Sequence, residues 1–218
     1  MTKEQSKQWI IEAGIVPVVR APSAALAVAA AQAVHEGGIP VVEVTMTVPG
    51  ALEVIAQLVK TVGTEVLVGA GTVLDAEAAR RCLDAGAEFL VSPGLDVETV
   101  KLANREGRLV MAGALSPTEI LTAWKAGSDF VKVFPCGNVG GPKYIRALKG
   151  PLPEVPLVPT GGVNLENAGE FIRAGAAALG IGGELVSAAA LKSGNLTAIT
   201  DTAKQFMAIV RAARSAAE

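Results

Sequence analysis

The 218-residue sequence predicts an α/β fold: a TIM (β/α)8 barrel in one domain, residues 1–218, with an extra N-terminal helix. Three observations carry the prediction. Eight short aliphatic runs, at 15–20, 41–46, 66–71, 88–92, 109–112, 129–134, 156–160 and 177–181, start about 20 to 27 residues apart. That interval is the length of one strand-plus-helix unit. Between the runs lie Ala-rich stretches that end in glycine turns: Gly37-Gly38, Ala85-Gly86, Ala126-Gly127 and Ala174-Gly175. A glycine just past the last helical turn supplies the left-handed cap. Finally, half the residues are hydrophobic but only 4% are aromatic, so Val, Ile, Leu and Ala must build the core. Such a composition suits a parallel sheet buried on both faces. An open doubly wound sheet is the competing architecture, and eight evenly spaced units favour closure.

In chain order, residues 2–13 form the extra helix, which ends at Gly14. The first strand carries Val16, Val18 and Arg20 on one face. In the second, Glu43 and Thr45 share a face, and Val42, Val44 and Met46 take the other. The third strand closes on Gly69-Ala70-Gly71-Thr72, where backbone must approach something closely. The sixth places Phe130, Lys132 and Phe134 on one face, opposite Val131 and Val133. Thr160-Gly161-Gly162-Val163 follows the seventh strand, with Asn164 as a helix N-cap. Gly180-Ile181-Gly182-Gly183-Glu184 follows the eighth. Residues 196–214 close the chain as a helix with Leu196, Ile199, Ala203, Phe206 and Val210 at helical spacing.

In a barrel of this kind the active site lies at the C-terminal ends of the strands. Groups that do not belong in an apolar core are therefore the candidates. The valine face of the sixth strand suits the surrounding helices, so Lys132 should point inward. A lysine kept from water favours its neutral amine, which attacks carbonyls; a solvated lysine on a half-exposed strand is the alternative. An inward Glu43 wants a cation or a proton-transfer task, and an ion pair with Lys132 or Arg20 is its alternative. Arg20 can clamp a carboxylate or a phosphate, or simply face solvent. Exposed amides of the two Gly-Gly loops can bind phosphate, and strands seven and eight are where barrels commonly put that site.

A net charge of −2 gives no reason to expect nucleic acid or an anionic membrane as partner. Two cysteines without paired spacing argue against a disulfide framework and for a reducing cytoplasm. The first twelve residues are too polar for a signal peptide. The apolar stretch at 24–34 is too short to span a bilayer. One histidine, His35, leaves no imidazole-based metal site, and no carboxylate cluster stands at the strand ends. No metal and no cofactor are expected. His35 reads as a surface or capping residue, Cys136 as packing, and Trp9 and Trp124 as core or subunit contacts.

Taken together, Glu43-Val44-Thr45, Gly69-Ala70-Gly71-Thr72, Ser92-Pro93-Gly94, Val131-Lys132-Val133-Phe134-Pro135, Pro159-Thr160-Gly161-Gly162 and Gly180-Ile181-Gly182-Gly183 resemble a known family. They are similar to 2-keto-3-deoxy-6-phosphogluconate (KDPG) aldolase and 4-hydroxy-2-oxoglutarate (KHG) aldolase, over roughly 15–186. The resemblance implies a class I aldolase, usually homotrimeric, that cleaves a 2-keto-4-hydroxy acid to pyruvate and glyceraldehyde 3-phosphate or glyoxylate. It implies Lys132 as the Schiff-base lysine and Glu43 as general acid/base working through a water. Thr72, Pro93 and Phe134 would line the pyruvyl pocket. Thr160, Gly161, Gly162, Gly182 and Gly183 would form the phosphate end. Many members carry an arginine where this chain has Thr47, so Arg20 or hydroxyl and backbone groups would hold the carboxylate. Phosphate-binding members often carry a serine where this chain has Gly183. The competing enzyme reading is a phosphosugar epimerase or isomerase, which needs paired acids or histidines; an inactive scaffold barrel is the non-enzymatic one.

Overall fold

Side-chain caps start most of the helices, and aliphatic residues dominate the strands between them. A computed structural model describes residues 1–216 and shows helix α1 (Lys3–Ala13) ahead of eight strand–helix units. These run β1 (Ile15–Val19), α2 (Ala24–Glu36), β2 (Val41–Thr45), α3 (Ala51–Val62), β3 (Leu67–Gly71) and α4 (Ala76–Asp84). Then come β4 (Phe89–Val91), α5 (Val97–Arg105), β5 (Leu109–Ala114), α6 (Pro117–Lys125), β6 (Phe130–Val133) and α7 (Pro142–Lys149). The last are β7 (Leu157–Pro159), α8 (Ala168–Arg173), β8 (Leu179–Ile181), α9 (Ala188–Ser193) and α10 (Leu196–Ser215). Thr2, Ser23, Asp75, Asp96, Ser116, Ser187 and Asn195 each accept a backbone N–H at a helix start. The expected glycine turns hold: Gly38, Gly86, Gly127 and Gly175 all take positive φ between 90° and 99°.

All strand pairs are parallel, in the order β7-β6-β5-β4-β3-β2-β1-β8. The circle is nearly closed, because β7 and β8 meet through a single bridge, Thr160 to Gly180, and one bond from Ala177 N to Leu157 O (2.9 Å). The predicted TIM barrel is therefore the observed fold. Two cores follow from the period-two alternation. Outward residues such as Val42, Val44, Val131 and Val133 pack against the helices. Inward residues Val16, Val41, Leu67, Phe89, Leu109, Phe130 and Val158 fill the lower barrel, where Ile10 and Ala13 of α1 join them as a floor. The extra helix thus buries its apolar stripe against the open bottom of the barrel. Lys3 ties it to Asp129 (2.9 Å), and Arg214 of α10 donates to the carbonyls of Ile11 and Glu12 at its other end.

One expectation is corrected here. Asn164 does not cap a helix; its Oδ1 accepts from Glu166 N and Asn167 N (both 3.0 Å), making a turn, and α8 begins four residues later. Asn and Asp side chains favour such local turns as readily as helix starts. A 3-10 turn at Cys136–Val139 and the short α9 have no periodic signal and are not foreseen from the sequence.

Candidate active site

Lys132 and Glu43 are forced inward by the valines that alternate with them, and both are buried: Lys132 is 5% exposed and Glu43 2%. The strand registers set their heights, with Glu43 beside Val18 and Gly69, and Lys132 beside Gly113 and Val158. Among the described residues Glu43 makes no ion pair within 4.0 Å, and its Oε1 has no hydrogen-bond partner. The ion-pair alternative for Glu43 therefore does not hold. Burial pushes its carboxyl above the ordinary value of 4.5, against the opposing pull of the Lys132 and Arg20 charges. An unpartnered buried carboxylate costs stability unless a ligand or a task accounts for it. The Lys132 ammonium position lies 5.4 Å from the centre of the Phe134 ring.

Above Lys132 opens a cleft of about 440 Å³ at the C-terminal ends of β1, β6, β7 and β8. It brings together Arg20, Lys132, Phe134, Thr160, Gly161, Gly162, Gly182 and Gly183, eight of the twelve candidates. Gly161 and Gly162 take φ of 84° and 81°, a backbone conformation that favours glycine at both positions of the loop after β7. The amides of Gly162, Gly182 and Gly183 donate to no backbone carbonyl among the described residues, so loop N–H groups remain available to an anion.

The other four candidates lie outside the lining of this cleft. Glu43 lies below it, within electrostatic reach of Lys132 and Arg20. Pro93 and Phe134 share an adjoining recess of about 230 Å³, so the Phe134 ring stands between the two spaces. Ser92 fixes the Pro93 turn by donating to Gly94 O (2.6 Å) and accepting from Gly113 N (3.3 Å). Thr72, just past β3, holds φ of +58°, a conformation that costs a β-branched residue about 1–3 kcal/mol and clusters at ligand sites. Thr47 is exposed at the rim; its hydroxyl sits 2.7 Å from Thr45 Oγ1, which donates in turn to Val19 O.

Val18, Val163, Gly180, Glu184, Val186 and Ala188, none of them among the twelve candidates, complete the cleft wall. Val18 was recoverable, because it shares its face with Arg20. Gly180 lies in β8 without a side chain to show its face, Ala188 opens the short α9, and Val163, Glu184 and Val186 sit in loops without a period. The remaining readings of single residues fit the geometry. His35 pairs with Glu65 (3.2 Å) at the surface, and burial pushes the Cys136 thiol up to about 11, which suits packing rather than nucleophilic work. Among the described residues no three His, Cys, Asp or Glu side chains could hold a metal ion together, and no helix is long and apolar enough to cross a membrane.

This geometry has close counterparts. The family model "KDPG and KHG aldolase" matches residues 7–202. A 2-dehydro-3-deoxy-phosphogluconate aldolase of Treponema pallidum is 37% identical, over 90% of this chain and 93% of its own length. A 2-dehydro-3-deoxy-6-phosphogalactonate aldolase of Escherichia coli is 32% identical over 97% and 100%. The crystal structure of a KDPG aldolase of Legionella pneumophila, with pyruvate captured as a covalent carbinolamine, superimposes with a TM-score of 0.85 at 30% identity. It covers 94% of this chain and 98% of that one. With a barrel of the same form and matches over nearly its whole length, the chain belongs to the KDPG and KHG aldolase family.

Proposed function

We propose that this protein cleaves a 2-keto-4-hydroxy acid to pyruvate and an aldehyde as a class I aldolase, with Lys132 as the Schiff-base residue. One observation carries the reading: a buried amine lines a cleft rimmed by Gly-Gly loops, and within its electrostatic reach lies a buried carboxylate whose Oε1 has no hydrogen-bond partner among the described residues. The unprotonated Lys132 amine adds to the C2 ketone, and the carbinolamine loses water to give an iminium. Glu43, through a water, carries protons in these steps. As the C4 hydroxyl gives up its proton, the C3–C4 bond breaks and its electron pair moves into the iminium. The aldehyde leaves, and an enamine remains. Protonation at C3 and hydrolysis of the imine then release pyruvate and free Lys132.

In this reading Arg20 holds the substrate carboxylate, with the Thr47 and Thr72 hydroxyls at its flank. Pro93 and Phe134 wall the pyruvyl end. Thr160 and the amides of Gly161, Gly162, Gly182 and Gly183 receive the phosphate. The epimerase alternative needs a second acid or base opposite the first. Glu43 is the one buried carboxylate among the described residues, which favours the lysine mechanism.

The iminium does the electrophilic work, so catalysis is metal-independent. The absence of a ligand cluster among the described residues supports this. The preferred substrate is the six-carbon phosphorylated keto acid, with 4-hydroxy-2-oxoglutarate also accepted. In a coupled assay with both substrates, kcat/KM is expected to be higher for the phosphorylated one and unchanged by exhaustive EDTA. A clear preference for the five-carbon diacid would reverse the order. A rate restored only by Mg2+, Mn2+ or Zn2+ would move the chain to the metal-dependent aldolases.

A homotrimer in the cytoplasm completes the proposal. Family resemblance and Ala-rich helices that can pack closely support the trimer, and two free, buried cysteines suit a reducing compartment. Light scattering is expected to return three times the chain mass at micromolar concentration; a stable monomer rules the trimer out.

A further inference from the structure

The Glu43 carboxylate leans off β2 onto the neighbouring strand, and what it meets there is the bare backbone of Gly71. The two strands are in register, with Glu43 opposite Gly69 and Thr45 opposite Gly71, so the side chain crosses one two-residue step upward. A Cβ on Gly71 would stand 1.7 Å from Glu43 Oε1, 2.3 Å from Cδ and 2.5 Å from Cγ. The carboxyl group therefore occupies the very space that any other residue at position 71 would fill. Gly71 does not take a positive φ, so left-handed backbone strain is not what bars alanine there; the three atoms that would crowd its methyl most closely all belong to Glu43. Oε1 also has no hydrogen-bond partner, so no directional bond fixes where that oxygen sits. The shape of its seat does.

We propose that Gly71 is a positioning residue: the missing side chain at the end of β3 forms the seat that holds the Glu43 carboxylate in its working place. The proposal rests on reading Glu43 as the proton-transfer group. Glutamate is the movable partner of the overlap, because its outer bonds rotate while β3 is locked in the sheet between β2 and β4. A methyl group at position 71 therefore displaces the carboxylate before it disturbs the barrel.

Four variants test this by turnover: Gly71→Ala, Glu43→Asp, the double variant, and Glu43→Gln; a Glu43→Ala background, with and without Gly71→Ala, tests the fold. Gly71→Ala is expected to lower kcat by about 10²-fold, the scale of general acid/base help, with KM changed only a few-fold. Aspartate is one methylene shorter and removes the closest contact, although its carboxyl would take the places of Glu43 Cδ and Cγ, 2.3 and 2.5 Å from the new methyl, and has still to turn aside. The two substitutions act on one overlap, so the double variant is expected to show less than the product of the two losses. Thermal unfolding guards against a folding artefact. In a Glu43→Ala background, Gly71→Ala is expected to leave Tm unchanged, because the three atoms that crowd the methyl most closely have gone. Normal turnover in Gly71→Ala, multiplying losses in the double variant, or a fall in Tm in the Glu43→Ala background each overturns the proposal, provided Glu43→Gln is impaired. Normal turnover in Glu43→Gln overturns the underlying reading of Glu43 instead.

Discussion

Incubation with pyruvate and borohydride is expected to add a stable pyruvate-derived mass to the peptide that holds Lys132, and to abolish activity. The cleavage is reversible, so pyruvate alone suffices to form the imine, and reduction makes it permanent. Lys132→Arg is expected to escape labelling, because a guanidinium stays protonated and cannot condense with a ketone. Turnover in that variant should fall by about 10⁴-fold or more, the scale met when a covalent nucleophile is removed. The fold should persist, since Arg can direct its charge up into the cleft that Lys132 already lines. Peptide mapping checks the site. An adduct on Lys143, or none at all, sinks the mechanism, and the epimerase alternative requires none.

Glu43→Gln is expected to lower kcat by about 10²-fold or more while raising stability at neutral pH. The sign follows from the direction of its shift. Burial sets the carboxyl higher in the folded protein than the 4.5 of an exposed glutamate, so ionisation favours the unfolded chain. The resulting penalty is present in full above the folded value. It shrinks as pH falls through the window down to 4.5, and it is absent below. A neutral amide of the same shape costs less to bury than a carboxylate. The variant should therefore melt higher than wild type at pH 7, with the gain gone by about pH 4. Paired melting curves and a turnover assay decide the matter. Near-normal turnover would reduce Glu43 to a bystander in the chamber.

The parts of the molecule that could be read before any coordinates are those in which side-chain period and burial agree. Val131 and Val133 against Lys132, or Val42 and Val44 against Glu43, place a charged residue on the inner face by alternation alone. The eight strands were legible for the same reason, each observed run lying within about two residues of its aliphatic stretch or, for β5, extending two beyond it. Glycine breaks this legibility. Gly69, Gly71, Gly113 and Gly180 all face inward, and each accommodates a neighbour, Phe89, Glu43, Pro93 or Thr160, but a residue without a side chain leaves no periodic trace. Loops hide in the same way. Asn164 could cap a helix or a turn, and its sequence does not distinguish them. The seating of Glu43 over Gly71 depends on the stagger between two strands, which no single stretch of chain encodes.

The barrel's seam would give an anion bound at the proposed phosphate end a second role. Seven of the eight strand contacts are ladders, whereas β7 and β8 share one bridge and one flanking bond. The Gly161-Gly162 and Gly182-Gly183 loops leave from the two sides of that join. An anion accepting hydrogen bonds from both would act as a staple across it, supplying rungs that the backbone lacks. Substrate would then complete the cylinder as well as occupy it. Anything that tightens the hold on the phosphate end would also slow local opening of the sheet, because the two events are one.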